Sequence, residues 1–217
     1  MKVLITAGPT REAIDPVRFL SNRSSGRMGY ALAHAFIKKD HHVLLISGPT
    51  QLDIPDRVDF IPVESAQEMF DAVSHSIQHF DVAIFCAAVA DYAPDHVATQ
   101  KIKKSADSIT LVLTKTPDIL GSARTVFQFN GYLVGFAAET ENLESNAREK
   151  LTRKNCDMII ANDVSRSDIG FDSHENEVLI IEASENTRLP LDTKEHLAHH
   201  LVELIHQRVL QSKKEQP

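Results

Sequence analysis

Ile5-Thr-Ala-Gly-Pro-Thr-Arg-Glu-Ala-Ile-Asp-Pro-Val-Arg-Phe-Leu-Ser-Asn-Arg-Ser-Ser-Gly-Arg-Met-Gly29 decides how the chain is read. The apolar run from Val3 to Thr6 reads as a buried strand, and Gly8-Pro9 breaks it. A loop follows, and a helix is predicted from Gly26. That loop carries Arg11, Arg18, Arg23 and Arg27 beside Asn22, Ser24 and Ser25. Open N–H groups at a helix start, two hydroxyls and a guanidinium together make an anion site, so the first ligand class to consider is a phosphate. A solvated basic loop is the plain alternative. It is weakened because the arginines gather among Gly, Pro, Ser and Asn at one strand-to-helix junction.

The alternation continues outward. Apolar runs predict strands over 2–6, 43–47, 58–62, 81–87, 132–137 and 157–161, and helices are predicted over 26–39, 66–79, 117–128, 142–154 and 193–212. Ser65 with Glu68, and Asp192 with Glu195, have the spacing of capping boxes before the second and last helices. The pattern implies an α/β fold, a Rossmann-like, mainly parallel sheet with helices on both faces and ligands outside the carboxyl ends of the strands. Ser108 to Lys115 reads as a further strand, and 176–182 with 186–190 as a late hairpin. These pieces interrupt the alternation and are expected to form a small β lid or dimerisation segment. Residues 1–217 are read as a single domain, with a frayed tail over 212–217.

A formal charge of -7 argues against general nucleic-acid binding, yet residues 1–30 hold Lys2 and four arginines against Glu12 and Asp15. An acidic protein with a local basic loop suits a small anionic ligand. No apolar run approaches a membrane span and no signal segment opens the chain, so a cytoplasmic protein is expected. Cys86 and Cys156 sit in apolar runs and read as reduced core residues, not as a disulfide or metal pair. No two-His metal spacing lies near a carboxylate, and the adjacent pairs His41-His42 and His199-His200 read as solvated turn or helix positions.

A dinucleotide site is opposed by detail. No Gly-x-Gly-x-x-Gly follows the first strand, and the second ends Ile46-Ser-Gly-Pro49 without an acid for a ribose. No Tyr is followed four positions later by Lys, so a nicotinamide-dependent reductase is the second reading and a non-catalytic nucleotide-binding module the third. The strand Asp81 to Ala87 leads into Ala88-Val-Ala-Asp-Tyr92, where small residues let a ligand lie against the backbone and Asp91 is suited to ribose hydroxyls. By itself that stretch is a tight turn capped by Asp. Lys101-Ile-Lys-Lys104 is suited to a triphosphate, although a lone charge run is usually a solvated face. Lys150 and Lys154 share one helix face, with Arg153 beside them. Phe136, at a strand end, is placed to cover a base or to fill the core. Anion-binding residues after at least three strands at one sheet edge outweigh the bland reading of each.

Four blocks give the chain a close resemblance to the phosphopantothenoylcysteine synthetase family. They are Ile5 to Arg11 with Ser21 to Gly29, Ala87 to Tyr92 with Lys101 to Lys104, Gly135-Phe-Ala-Ala-Glu-Thr140, and Ala161-Asn-Asp-Val-Ser165. The resemblance spans nearly the whole chain and is to the bacterial, CTP-using form, a homodimer in which this domain often follows a flavin-dependent decarboxylase. It implies that the carboxylate of 4'-phosphopantothenate attacks the α-phosphate of CTP, and that the amine of L-cysteine then displaces CMP from the acyl-cytidylate. It implies catalytic roles for Asn22, as an amide donor to the acyl carbonyl, and for Lys101. The acyl substrate is expected near Arg18, Asn22, Ser24, Ser25, Gly26, Arg27 and Ala88. CTP is expected against Phe85, Cys86, Ala87, Asp91, Lys101, Thr116, Pro117, Asp118, Ile119, Phe136, Lys150 and Lys154. No protein cage for a metal is implied, since Mg²⁺ would travel mainly on the CTP phosphates. Two positions depart from the family pattern: Thr116, where Asn is frequent, and Arg27, where Lys is.

Overall fold

In the computed structural model, the run Lys2–Ala7 forms β1, an internal strand paired in parallel on both sides. The structure describes residues 1–104, 107–165 and 173–215. After β1 come a small hairpin, β2 (Arg11–Ala13) with β3 (Phe19–Ser21), and then α1 (Arg27–Lys38), β4 (His42–Ser47), β5 (Asp59–Pro62) and α2 (Ala66–Ser76). The chain continues through β6 (Val82–Phe85), β7 (Tyr92–Pro94), β8 (Leu113–Lys115), α3 (Ile119–Thr125), β9 (Tyr132–Glu139) and α4 (Leu143–Lys154). It closes with β10 (Met158–Asp163), β11 (Glu175–Ile181), β12 (Asn186–Thr193) and α5 (Lys194–Glu215).

Eight strands form one sheet in the order β12-β11-β10-β9-β6-β1-β4-β5, antiparallel only at β11 and β12. The side-chain period of two sorts β1 between two cores. Val3, Ile5 and Ala7 face a layer built with Leu32, Phe36, Leu201 and Ile205 of α1 and α5, while Leu4 faces Met69, Val73 and Ala123 of α2 and α3. The chain runs outward from β1 to β4 and β5, then returns to build β6, β9 and β10 on the other side. The reversal between β1 and β6 is a topological switch point, where the carboxyl ends of neighbouring strands open a crevice. No helix of the described residues is long and apolar enough to cross a membrane.

Several expectations are corrected. Within 108–115 only Leu113–Lys115 pairs, because its partner Tyr92–Pro94 is three residues long and ends in proline. The helix expected over 117–128 is Ile119–Thr125: Asp118 caps it by accepting from Gly121 N at 2.9 Å, and Gln128, at φ 53°, sits beyond its end. Before α5 the cap is Thr193, whose Oγ1 accepts from His196 N at 3.2 Å, and not Asp192 with Glu195. Asp192 instead accepts from Thr193 N and meets the His196 ring. The Ser65–Glu68 capping box is present. The hairpin β2–β3 occupies a stretch read as loop. Residues 212–215 continue α5 where fraying was expected, and 216–217 lie outside the described residues. His41 is half-buried, its ring tilted against those of Phe36 and His206, where a solvated turn or helix position was expected.

Candidate functional site

The loop after β1 enters α1 through Gly26, at φ 79°, a left-handed position that favours glycine. A Cβ there would come within 2.7 Å of Thr50 Cγ2. Among the described residues no side chain caps α1, and no acid lies in its first turn, so its first N–H groups have no capping side chain. Gly29 lets the helix lie on β1, since a Cβ would meet Ala7 Cβ at 2.6 Å. Arg27, the first helical residue, keeps a buried Nε with no partner among the described residues.

The loop after β6 is laced to this entry. Ala87 N donates to Thr6 Oγ1 at 3.3 Å and Ala90 N to Thr10 Oγ1 at 2.9 Å. Asn22 Nδ2 donates to the carbonyls of Ala88 and Val89, each at 3.1 Å. Two carbonyl acceptors fix the amide's orientation, because its oxygen would be repelled there. The NH₂ group ties two loops together at the cavity wall.

The opposite wall is the turn before α3. Thr116 Oγ1 donates to Ala90 O at 2.6 Å, and Thr116 N to Asp91 O at 3.0 Å. Asp118 also pairs with Lys154 of α4. Burial pushes the Asp118 carboxyl up, but the Lys154 and Gly121 hydrogen bonds prevail and hold it below its ordinary value. Lys150 Nζ donates to Phe136 O at 2.8 Å, and burial pulls its ammonium below its ordinary value against the opposing charge of Glu139. Burial also pushes the Cys86 and Cys156 thiols up to about 12, so neither is a ready thiolate.

These elements enclose a cavity of about 700 Å³ beyond the ends of β1, β6, β9 and β10, a size that suits a nucleotide-sized ligand. It gathers Asn22, Ser24, Ser25, Gly26, Arg27, Phe85, Cys86, Ala87, Ala88, Asp91, Thr116, Pro117, Asp118, Ile119, Phe136, Lys150 and Lys154. Phe85 and Ile119 are buried and serve the core as much as the cavity. Two expected residues lie outside it. Arg18 grips the buried Asp15 through Nε, at 3.0 Å, and Nη2, and donates to Ile102 O at 3.0 Å. It is a clamp between loops. Lys101 is exposed on the segment that Arg18 anchors.

The residues missed are Asn162, Asn176 and Lys194, along with Lys115, all of which line the cavity. Lys194 carried a signal, since a cation at the first position of a helix opposes the helix dipole. Asn176 puts a polar amide near the start of β11, ahead of its apolar run. Six Lys or Arg side chains line the cavity (Arg27, Lys115, Lys150, Arg153, Lys154, Lys194) against the carboxylates of Asp91 and Asp118. In a chain of net charge -7, that is a concentrated positive field.

Residues 1–209 match the family described as the DNA/pantothenate metabolism flavoprotein C-terminal domain. The chain belongs to that family. It is 48% identical over 210 residues to the coenzyme A biosynthesis bifunctional protein CoaBC of Vibrio cholerae, covering 96% of this chain and 53% of that protein. Against the protein of the same name from Haemophilus influenzae it is 49% identical over 208 residues, covering 96% of this chain and 52% of that one. The chain thus spans about half the length of these relatives. A crystal structure of the C-terminal domain of a coenzyme A biosynthesis bifunctional protein CoaBC superposes with a TM-score of 0.81 at 40% identity, covering 99% of this chain and 96% of that one. Like that domain, this member of the DNA/pantothenate metabolism flavoprotein C-terminal domain family is a mainly parallel α/β sheet.

Proposed function

We propose that the chain is a phosphopantothenate–cysteine ligase of coenzyme A biosynthesis, using CTP. A carboxylate oxygen of 4'-phosphopantothenate bonds to the α-phosphorus, and the bond to pyrophosphate breaks. The amine of L-cysteine then bonds to the acyl carbon, CMP departs with the electron pair of the broken C–O bond, and the amine loses a proton. The observation that carries this reading is the cation-rich cavity at the switch point. A carboxylate and a triphosphate repel, and Arg27, Lys150 and Lys154 are positioned to offset that charge. The names of the relatives supply the pathway.

The turn 116–119 and Phe136 would hold the base, Asp91 the ribose, and the start of α1 a phosphate. Asn22 acts as a positioning residue, holding the 87–92 loop over the acyl group. Mg²⁺, when bound, lowers the negative charge of the phosphates. Its ligands would be mainly phosphate oxygens and water. Arg18 and the buried thiols stay outside the chemistry.

A homodimer completes the reading, with a flavin-dependent decarboxylase as a fused or separate partner and the cytoplasm as the site of action. Val97, Ile109, Val112 and Leu113 lie exposed around the β7–β8 ribbon, as an interface would have them in one isolated subunit. The reductase reading loses ground just after β4, where Pro9 packs so closely on Gly48 that a Cβ there would lie 1.8 Å from Pro9 O. The test is pyrophosphate release with 4'-phosphopantothenate, cysteine and CTP, ATP, GTP or UTP in turn. CTP is expected to support release far better than the others. Equal rates with ATP would remove the CTP assignment alone, and no release with any nucleotide would remove the ligase.

A further inference from the structure

Away from the cavity, two imidazoles join α1 to α5. The chain turns past the end of α1 through Asp40, at φ 57°, and His41 N donates to Phe36 O at 3.1 Å, which anchors the residue there. His41 Nε2 meets His206 Nδ1 of α5 at 3.1 Å, and His41 Nδ1 meets the Met1 amine at 3.2 Å. Both rings are half-buried, at the edge of the layer in which Leu32 and Phe36 pack with Leu201, Ile205 and Val209.

These contacts assign the protons. The Met1 ammonium has only hydrogens to give, so His41 Nδ1 accepts, and the one N–H of the neutral ring is then on Nε2 and donates to His206 Nδ1. The pair can hold one added proton only by giving up the Met1 bond, because His41 then carries a hydrogen on Nδ1. A second added proton sets N–H against N–H between the helices. The carboxylates nearby are already engaged: Asp40 with Arg57 at 3.4 Å and Glu203 with Lys39 at 3.0 Å, while His199 and His200 add further imidazoles beside Glu203. The carbonyls at the end of α1, which favour a cation, are engaged too, since Phe36 O accepts from Lys39 N and His41 N, and Ile37 O from Asp40 N and Arg57 Nη2. Burial, with the Met1 amine, His206 and Lys39, holds the His41 ring below its ordinary value against the pull of Asp40. The docked state therefore takes up protons less readily than an open one, so its stabilisation is present above that ordinary value and is lost as pH falls through it.

We propose that His41 and His206 form a proton-operated latch between the end of α1 and the second half of α5. The latch is closed while the pair holds at most one added proton, and it opens when the pair must hold two. Opening uncovers Phe36, Ile205 and Val209, while the start of α5 stays docked through Leu197 and Leu201. The device is independent of the ligase reading.

The test is amide hydrogen exchange on the full chain at about pH 7.5 and about pH 5, on either side of the range in which a histidine titrates, for wild type and His206→Asn. Protection factors remove the intrinsic effect of pH on exchange. Asparagine sets Oδ1 near the lost Nδ1, so it accepts from His41 and takes up no proton. Wild-type protection over 204–212, relative to 196–202, is expected to fall by about tenfold or more in acid, because the open pair binds two protons and the closed pair one at most. In His206→Asn it is expected to hold, since one proton on His41 leaves the interhelical bond in place. No relative loss in wild type, or the same loss in both proteins, overturns the latch. If the variant does not fold, long-range nitrogen–proton spectra of wild type decide. Support is a His41 hydrogen on Nε2 at the higher pH, with two imidazoliums in acid only where 204–212 has lost protection. A hydrogen on Nδ1 at the higher pH, or two imidazoliums with 204–212 still protected, overturns it.

Discussion

Asn22 and Asp15 each use a side chain to hold backbone, and each gives a distinct test. Asn22→Asp would set a carboxylate oxygen against the carbonyls of Ala88 and Val89, replacing two hydrogen bonds by repulsion. At about 1 kcal/mol per lost bond, before the repulsion is added, the unfolding temperature should drop by several degrees. Both half-reactions should slow, because the loop that moves borders the whole ligand. Rapid-quench analysis with mass spectrometry separates this from a direct role: accumulation of acyl-cytidylate in a normally stable variant would restore Asn22 as the donor to the acyl carbonyl. Asp15 is buried, and the Arg18 guanidinium, with the N–H groups of Ile102, Val17 and Arg18, holds its carboxyl well below the usual carboxylate range. The native state therefore binds this proton more weakly than the unfolded chain. The stabilisation is complete above about pH 4, where a free Asp is ionised, and fades as pH falls below that. Thermal melts across pH should show Asp15→Asn less stable than wild type at neutrality, with the gap closing in acid. A constant gap would assign Asp15 a purely steric role.

Elements behave as their termini dictate, and α1 shows this most plainly. Gly26→Ala would put a Cβ within 2.7 Å of Thr50 Cγ2 at a left-handed φ, which costs about 1–2 kcal/mol before the clash is counted. Lower stability together with weaker pyrophosphate binding is expected by calorimetry, and wild-type values for both would show that the entry to α1 is not constrained as described. Much of this was legible in the residues. The strand period of β1, the Ser65–Glu68 box and the Ser24-Ser25-Gly26 entry each follow from local rules, and local rules fixed β1, β4, β9 and β10 to within two residues. What could not be read were contacts between distant segments. The β2–β3 hairpin, the Arg18–Asp15 clamp on Ile102 and the convergence of Asn176 and Lys194 on the cavity depend on residues far apart in the chain meeting in space. The 108–112 stretch misled because β-branched residues signal a strand equally well whether or not a partner strand lies beside them.

At the scale of the whole molecule the question is where Lys101 acts. In one chain it is exposed and outside the cavity, on a segment held by Ala98 N to Ile14 O and Ile102 N to Asp15. The stretch that leads into the neighbouring ribbon exposes Ile109 at 61% and Val112 at 67%, apolar surface that a subunit contact would cover. A twofold dimer joined there would be isologous, so each cavity would receive the same segment from the other copy. If the partner subunit's Lys101 serves each cavity, two inactive variants should rescue one another. In a mixed dimer of Lys101→Gln and Asn22→Asp, one cavity combines both defects and the other combines a native Asn22 with a native Lys101. Unfolding and refolding an equimolar mixture should therefore restore about a quarter of wild-type pyrophosphate release, since half of the dimers are mixed and each has one intact site. Each variant alone should stay low. Lys101→Gln should keep the wild-type unfolding temperature, because an exposed ammonium with no ion pair among the described residues contributes little to stability. No recovery from a mixture shown to exchange subunits would confine Lys101 to its own chain, and unchanged kinetics for Lys101→Gln alone would make residues 101–104 a solvated run of charge.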